Sequence, residues 1–454
     1  MLRGCLGSLV VFGLVFSLVS FDRLLIHSED NHFVYQADAW LKGSLSLKRR
    51  PHHQNDWASV ETVTLNGESA ETYGKTIRGF FVNQSKIPDH FRTTSGHDLS
   101  IPKKDIDQRK KNTYVSFPPG PSALMLPWVA WFGYGVNDVI FTIIFAALNC
   151  MLIGLLYERL STQERKPSSP EKMWWMVFFG LGTCHFWLSV QGKVWFSALV
   201  IGATFHLLYL YFALDVKRPF LAGLSLAVAF SCRATLVFSA GFIFLELWAI
   251  RKKLTTKEFA LKFVYFSAPC LVIGILLLIN NHVRFDHPAE FGHTYLAGGN
   301  LQRIRDFGLF HGRFVLRNLS AMLTLVPQLD SQQWLMRFSK HGMSIFLSSP
   351  LLLFLLVKRP QVGRGRRLIA VSALMLCPLL LYQNTGWEQF SYRFLLDLLP
   401  LISLYLMLTL TKLSHLMKAM IVIGVLINLF GALTFQRAHW AGSYSDFLPL
   451  WFSM

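Results

Sequence analysis

A series of apolar runs, each near the roughly 20 residues that cross a bilayer, is separated by short knots of lysine and arginine. Runs of this kind fold as helices, because hydrocarbon offers no partner to a free backbone N–H or C=O. Across 454 residues, 52% are hydrophobic and only 15% charged, with a mean hydropathy of +0.38, which excludes an ordinary soluble domain. The expected fold class is an all-α polytopic membrane protein. Its formal charge of +18 sits largely in the knots between apolar runs, as cytoplasmic loops require, so nucleic acid is not an expected partner.

The knots fix an expected topology. Arg3, then Arg159/Arg165/Lys166/Lys172, Lys217/Arg218, Arg251/Lys252/Lys253, Lys358/Arg359/Arg364/Arg366/Arg367 and Lys412/Lys418 all face inward, so an even number of crossings lies in each interval. The spans are Cys5 to Phe21, Asp138 to Tyr157, Met173 to Val190, Trp195 to Leu214, a short hairpin over Phe220 to Ile250, Phe263 to Ile279, Met343 to Val357, Leu368 to Tyr382, Leu395 to Thr411 and Met420 to Phe435. These make about eleven transmembrane helices, with the N-terminus inside and the C-terminus outside. No small-x-small cleavage site follows the first run, which reads as an uncleaved span. The chain divides into a first span (1–21), an extracytoplasmic loop with juxtamembrane helices (22–136), a bundle with outer loops (137–436) and an outer tail (437–454). By parity, Pro118 to Tyr134 is an amphipathic or re-entrant helix at the outer surface.

The loop from Asp22 to Phe117 is the longest polar stretch. Within Ser28 to Gly43, Phe33, Ala37, Trp40 and Leu41 form one apolar helical face, suited to lying along a membrane. Ser28, Glu29 and Asp30 stand where acceptor side chains cap a helix, and Asp38 is four residues before Lys42, suited to an ion pair. Alternatively, one carboxylate held at the membrane surface serves as a general base. Thr62 to Asn66 and Thr76 to Asn83 have strand-like content and suggest a small hairpin. Arg233 falls near the middle of the Phe220 to Ile250 hairpin, where an arginine either marks a functional site or snorkels to the interface. The six cysteines lie in apolar runs and indicate neither disulfides nor a thiolate metal site. No Walker loop, HExxH, CxxC or GxSxG is present.

A first span, an acidic cluster on a surface helix, and the turn Tyr114-Val115-Ser116-Phe117-Pro118-Pro119 together resemble the polyprenyl-phosphate-dependent GT-C glycosyltransferases. Within them the chain is similar to the protein O-mannosyltransferase and aminoarabinose-transferase group. The segments Asn281 to Tyr295 and Asn384 to Asp397 look like outer-loop segments of that superfamily. Where the aminoarabinose-transferase group has Lys-Pro-Pro, this chain has Phe117-Pro118-Pro119, and its acidic pair reads Glu29-Asp30 rather than Asp-Glu.

The resemblance implies inverting transfer of a sugar from a polyprenyl-phosphate donor to a lipid, glycan or protein acceptor. The active face would be the extracytoplasmic side of the cytoplasmic membrane, and no cofactor is implied beyond the donor as co-substrate. Asp30 is the first candidate base, with Asp38 and Glu29 beside it. Arg233, Arg284 and Arg393 are candidates for the leaving phosphate, because arginine grips phosphate bidentately; His287 and His293 are possible assistants. Tyr114, Trp387 and Tyr392 are candidates for substrate contact, the last two also fitting as interfacial aromatics. No residue is assigned to a metal. The competing readings are a lipid or glycan transporter or flippase, whose ionisable groups belong near the midplane of broken helices, and a non-catalytic membrane subunit.

Overall fold

The computed structural model describes residues 2–49, 51, 56–82, 85–160, 168–296, 301–330, 335–358, 363–437 and 443–448. They form two units: residues 1–28, 137–271 and 307–454, and residues 29–136 with 272–306.

The first unit is helical. Asp138–Leu160, Val194–Val216, Ala234–Lys253 and His415–Thr434 are long and apolar enough to cross a membrane, as is Thr256–Phe285, which runs through both units. Leu6–Val19, Pro219–Cys232 and Leu395–Thr409 are shorter apolar helices. The chain is therefore a helical membrane protein. Two expected spans are broken: Met173 to Val190 divides into Ser169–Gly180 and His185–Ser189, and Met343 to Val357 into Ile345–Ser348, Pro350–Leu353 and Phe354–Val357. The second break falls at Pro350, which has no N–H to continue a helix. Where helices run close, a glycine makes room: a Cβ on Gly223 would stand 2.1 Å from the carbonyl oxygen of Phe266.

Helix ends in this unit gather into two groups. In one, the Arg23 guanidinium donates to the carbonyls of Val190 (2.9 Å) and Phe435 (3.3 Å), Asn137 donates to those of Arg23 and Leu24, and Ser28 binds Asp138 through backbone and hydroxyl. In the other, Arg364 joins Asp215 (2.6 Å) and Glu246 (2.9 Å), Arg367 joins Glu246, Arg159 donates to the Leu214 carbonyl and Lys172 pairs with Glu158. The second group collects residues from the basic knots of the sequence. Buried Glu246 bonds both Arg364 and Arg367, and its one negative charge together with that of Asp215 offsets their two positive ones.

The second unit overturns the all-α expectation. It holds a five-stranded antiparallel sheet in the order β4-β3-β2-β1-β5, with β1 Trp57–Leu65, β2 Thr76–Phe81, β3 His90–Thr93, β4 Asp98–Ser100 and β5 Ile106–Val115. The expected hairpin is β1 and β2, paired with Glu61 opposite Gly79, but a helix, Gly67–Tyr73, connects them. β5 pairs with β1 along its whole length, so the run Arg109-Lys110-Lys111 lies on an edge strand, where charge discourages further pairing. Val63, Leu65, Phe91 and Ile101 close one core beside the sheet; Ala58, Val60, Tyr114, Phe285 and Tyr295 close another.

The expected helix of Ser28 to Gly43 is shorter, His32–Leu41, and its cap position is Asn31, whose side chain makes no capping bond. Asn31, rather than Ser28, Glu29 or Asp30, thus occupies the cap position. Nor does this helix lie on one apolar face, because every residue from His32 to Ala39 is buried. Gly120–Phe132 occupies the expected position of the outer helix, but it is apolar on all sides rather than amphipathic.

Candidate functional site

In the first unit, Arg233 separates Pro219–Cys232 from the short helix Ala234–Ser239. Its guanidinium clasps Asp397 with two nitrogens, Nε to Oδ1 at 3.2 Å and Nη2 to Oδ2 at 2.8 Å, and the Thr235 hydroxyl donates to Oδ2 at 2.8 Å. Asp397 lies in the first turn of Leu395–Thr409, where the helix dipole favours a negative charge. The carboxylate side chain is 1% exposed and the arginine 19%.

Arg393 and Arg233 approach the same ring: their guanidinium carbons stand 5.4 Å and 5.3 Å from the centre of Phe394, and Arg393 is also 5.5 Å from Phe196. Two of the three arginines singled out from sequence thus meet at one aromatic side chain. Tyr392 is fully buried, edge-on to Phe394, and its hydroxyl has no hydrogen-bond partner among the described residues. Burial, then the charge of Asp397, push its phenol well above the usual range. Its ring has no exposed face for a sugar to cover. Trp387 does, being 36% exposed, with its edge on His341 and the Lys340 ammonium 5.3 Å from its centre.

His341, Thr385 and Asp397 were not singled out from sequence. The His341 ring bridges the Thr385 hydroxyl (2.5 Å) and Asp446 (3.0 Å), while Gln389 donates to the carbonyls of His341 and Thr385. This ties the segment around residue 385 to β6 (Leu335–Ser339) and to β7 (Ser443–Ser445), which pairs parallel with β6. Nothing in the spacing of these residues announces the cluster. Asp397 did carry a signal, since a carboxylate inside the apolar run Leu395 to Met407 is itself a candidate functional residue.

In the second unit, Asp30 is 5% exposed at a turn before His32–Leu41, whereas Glu29 is exposed. His32, fully buried, stacks on Trp57 with ring centres 3.7 Å apart, and Phe117 meets it edge-on at 6.0 Å. A carboxylate and an imidazole two residues apart are thus both held inside protein. Asp38 accepts from Lys42 at 2.9 Å, the ion pair expected from the sequence, and from the Tyr134 hydroxyl at 2.5 Å. Burial, then the bond to Asp38, push the Tyr134 phenol well above its ordinary range.

Arg284 and Tyr114 are built into the core of this unit. Arg284 donates to the carbonyls of Asn280 (3.2 Å) and Val115 (2.7 Å) and to the Asn281 side chain (2.8 Å), pinning the end of Thr256–Phe285 to β5. Tyr114 packs against Phe285, and burial raises its pKa. His287 is exposed, while His293 is half-buried and desolvation lowers its basicity. Among the described residues no group of three His, Cys, Asp or Glu side chains could hold a metal ion.

The fold class these elements define is a helical membrane protein with an added antiparallel sheet. No protein-family model, no curated protein and no solved structure matches the chain.

Proposed function

We propose that this protein is a GT-C-like membrane glycosyltransferase, with about eleven spans, that moves a sugar from a polyprenyl-phosphate donor to an acceptor on the extracytoplasmic side. The observation that carries the reading is the meeting of Arg233 and Arg393 at Phe394. In the reaction a carboxylate takes the proton of an acceptor hydroxyl, the oxygen attacks the anomeric carbon, and the bond to the phosphate breaks with its electron pair on the leaving phosphate. Cations beside that phosphate lower the barrier. Arg393 takes this role, with Arg233 and Asp397 fixing the segment that carries it.

The Arg233–Asp397 pair at a break between helices also favours a second reading, a transporter, in which such pairs line a substrate path. One experiment separates the two. Membranes overproducing the protein are incubated with radiolabelled polyprenyl-phosphate sugars, and a covalently labelled acceptor is sought. Label that crosses the membrane on its unchanged carrier, with no labelled acceptor, supports the transporter and refutes the transferase.

A further inference from the structure

Ala234–Lys253, one of the stretches long and apolar enough to cross a membrane, ends in three consecutive cations, Arg251, Lys252 and Lys253, all exposed. The helix Ala240–Ile250 within it has two faces. Phe242, Ile243, Glu246 and Leu247 are buried in protein, whereas Leu245 and Trp248 lie on the outward face, Trp248 being 58% exposed. The Arg251 guanidinium stands 4.1 Å from the centre of the Trp248 ring and donates to the Trp248 carbonyl at 2.8 Å. The outward face thus passes from apolar side chains through an indole to cations, the order in which a bilayer passes from acyl chain to headgroup.

The acids nearby are already engaged. Glu246 and Asp215 match Arg364 and Arg367 charge for charge, and Glu258 accepts from the backbone N–H and the hydroxyl of Thr255. Among the described residues none of the three cations at the end of the stretch has a carboxylate partner, so their charge is presented outward uncompensated.

We infer that Trp248, Arg251, Lys252 and Lys253 form a binding site for an anionic bilayer phospholipid, with its phosphate against the cations and its acyl chains along Leu245 and Trp248. Arginine supplies a two-pronged grip on phosphate, and each lysine a point charge. A bilayer lipid fits better than an acidic soluble protein, because the cations continue an apolar face that only hydrocarbon would cover. The site uses none of the residues assigned to sugar transfer, and the inference stands whether or not the chain transfers sugar.

The test uses the full-length protein in neutral detergent, titrated with phosphatidylglycerol or phosphatidylcholine and weighed intact with its bound lipids by native mass spectrometry. The wild type retains phosphatidylglycerol at concentrations about tenfold below phosphatidylcholine, as expected for a cluster of surface cations. The Lys252→Gln/Lys253→Gln variant lowers that preference by about threefold or more and keeps its phosphatidylcholine binding. A control that loses the same charge at exposed positions of the second unit, Lys103→Gln/Lys104→Gln, keeps the wild-type preference. Equal retention of phosphatidylglycerol by the Lys252→Gln/Lys253→Gln variant and the wild type overturns the inference. So does an equal loss in the control, which would make the effect one of net charge. Displacement of the lipid by millimolar glycerol phosphate marks a soluble-anion site, and an oligoglutamate peptide that displaces it marks a protein-docking surface; either result also overturns the inference.

Discussion

Asp397→Asn keeps the shape of the side chain and removes its charge, leaving Arg233 in a largely apolar setting without its counterion. Removing one partner of a fully buried ion pair costs about 3–5 kcal/mol. Here 19% of the Arg233 side chain is exposed, and the asparagine carbonyl still accepts one of the three bonds that Arg233 and Thr235 now donate, so the expected loss is about 2–3 kcal/mol. For full-length protein in detergent this corresponds to a fall in melting temperature of about 5–10 °C. Arg233→Leu strands the carboxylate instead and should cost at least as much. The double variant Arg233→Leu/Asp397→Leu removes both charges, and because apolar replacement of a buried pair is often neutral, it should recover most of the lost stability. The double variant also isolates function: folded but inactive in the labelled-sugar assay, it would show that the pair serves the reaction as well as the fold. An Asp397→Asn protein melting within about 1 °C of wild type, or a double variant no more stable than the worse single, would refute the reasoning.

Three further outcomes are expected. Asp30→Asn should lower labelled-sugar transfer by about 100-fold or more with the melting temperature held, whereas Asp38→Asn should act mainly on stability, because Asp38 is already bonded to Lys42 and Tyr134; normal transfer by both variants sinks the enzyme reading. Gly79→Ala puts a Cβ 2.0 Å from the Arg92 carbonyl oxygen across the β2–β3 pairing, so it should destabilise the sheet by about 1–3 kcal/mol and speed proteolysis between those strands. Tyr295, stacked on Phe285, has its pKa pushed up to about 12 by burial first and then by Glu290. Its proton is held more tightly in the folded state, so that contribution is complete below the ordinary value of about 10 and is lost as the pH rises toward 12. Melting curves between pH 9 and 11 should therefore fall less steeply for Tyr295→Phe, and identical slopes would contradict this.

The bundle was more legible than the sheet. Apolar runs and basic knots locate Asp138–Leu160, Val194–Val216 and His415–Thr434 within a few residues, because burial in lipid demands one kind of side chain over a fixed length. The sheet follows a weaker pattern. β5 reads Ile-Asp-Gln-Arg-Lys-Lys-Asn-Thr-Tyr-Val, a charged run in which only the last residues are buried, so its pairing with β1 is a tertiary outcome with little local signal. The surface-helix expectation for His32–Leu41 failed for a related reason. Its polar positions, His32, Gln36 and Asp38, face protein partners such as Trp57, Ser122 and Tyr134 rather than water, and periodicity cannot tell a wet face from a satisfied one.

Among the charged residues, arginine and lysine are more legible in sequence than the carboxylates that pair with them, and the physics explains why. Topology depends on lysine and arginine and hardly on carboxylates, so a reading built on positive charge passes over Asp397 and Glu246, each of which fixes an arginine of the bundle. With Asp397 in view, the roles of the two arginines divide. Arg233 already spends two nitrogens on a carboxylate, so a phosphate there would displace Asp397 or stand beside a like charge, and both are costly in a low-dielectric site. Arg393 is one residue from the ring the two arginines share, and its segment is tied back through Asp397 to Arg233. Positioning through Arg233 and phosphate contact through Arg393 is therefore the division of roles that the proposed transferase calls for, because it leaves the Arg233–Asp397 pair intact while a donor is bound.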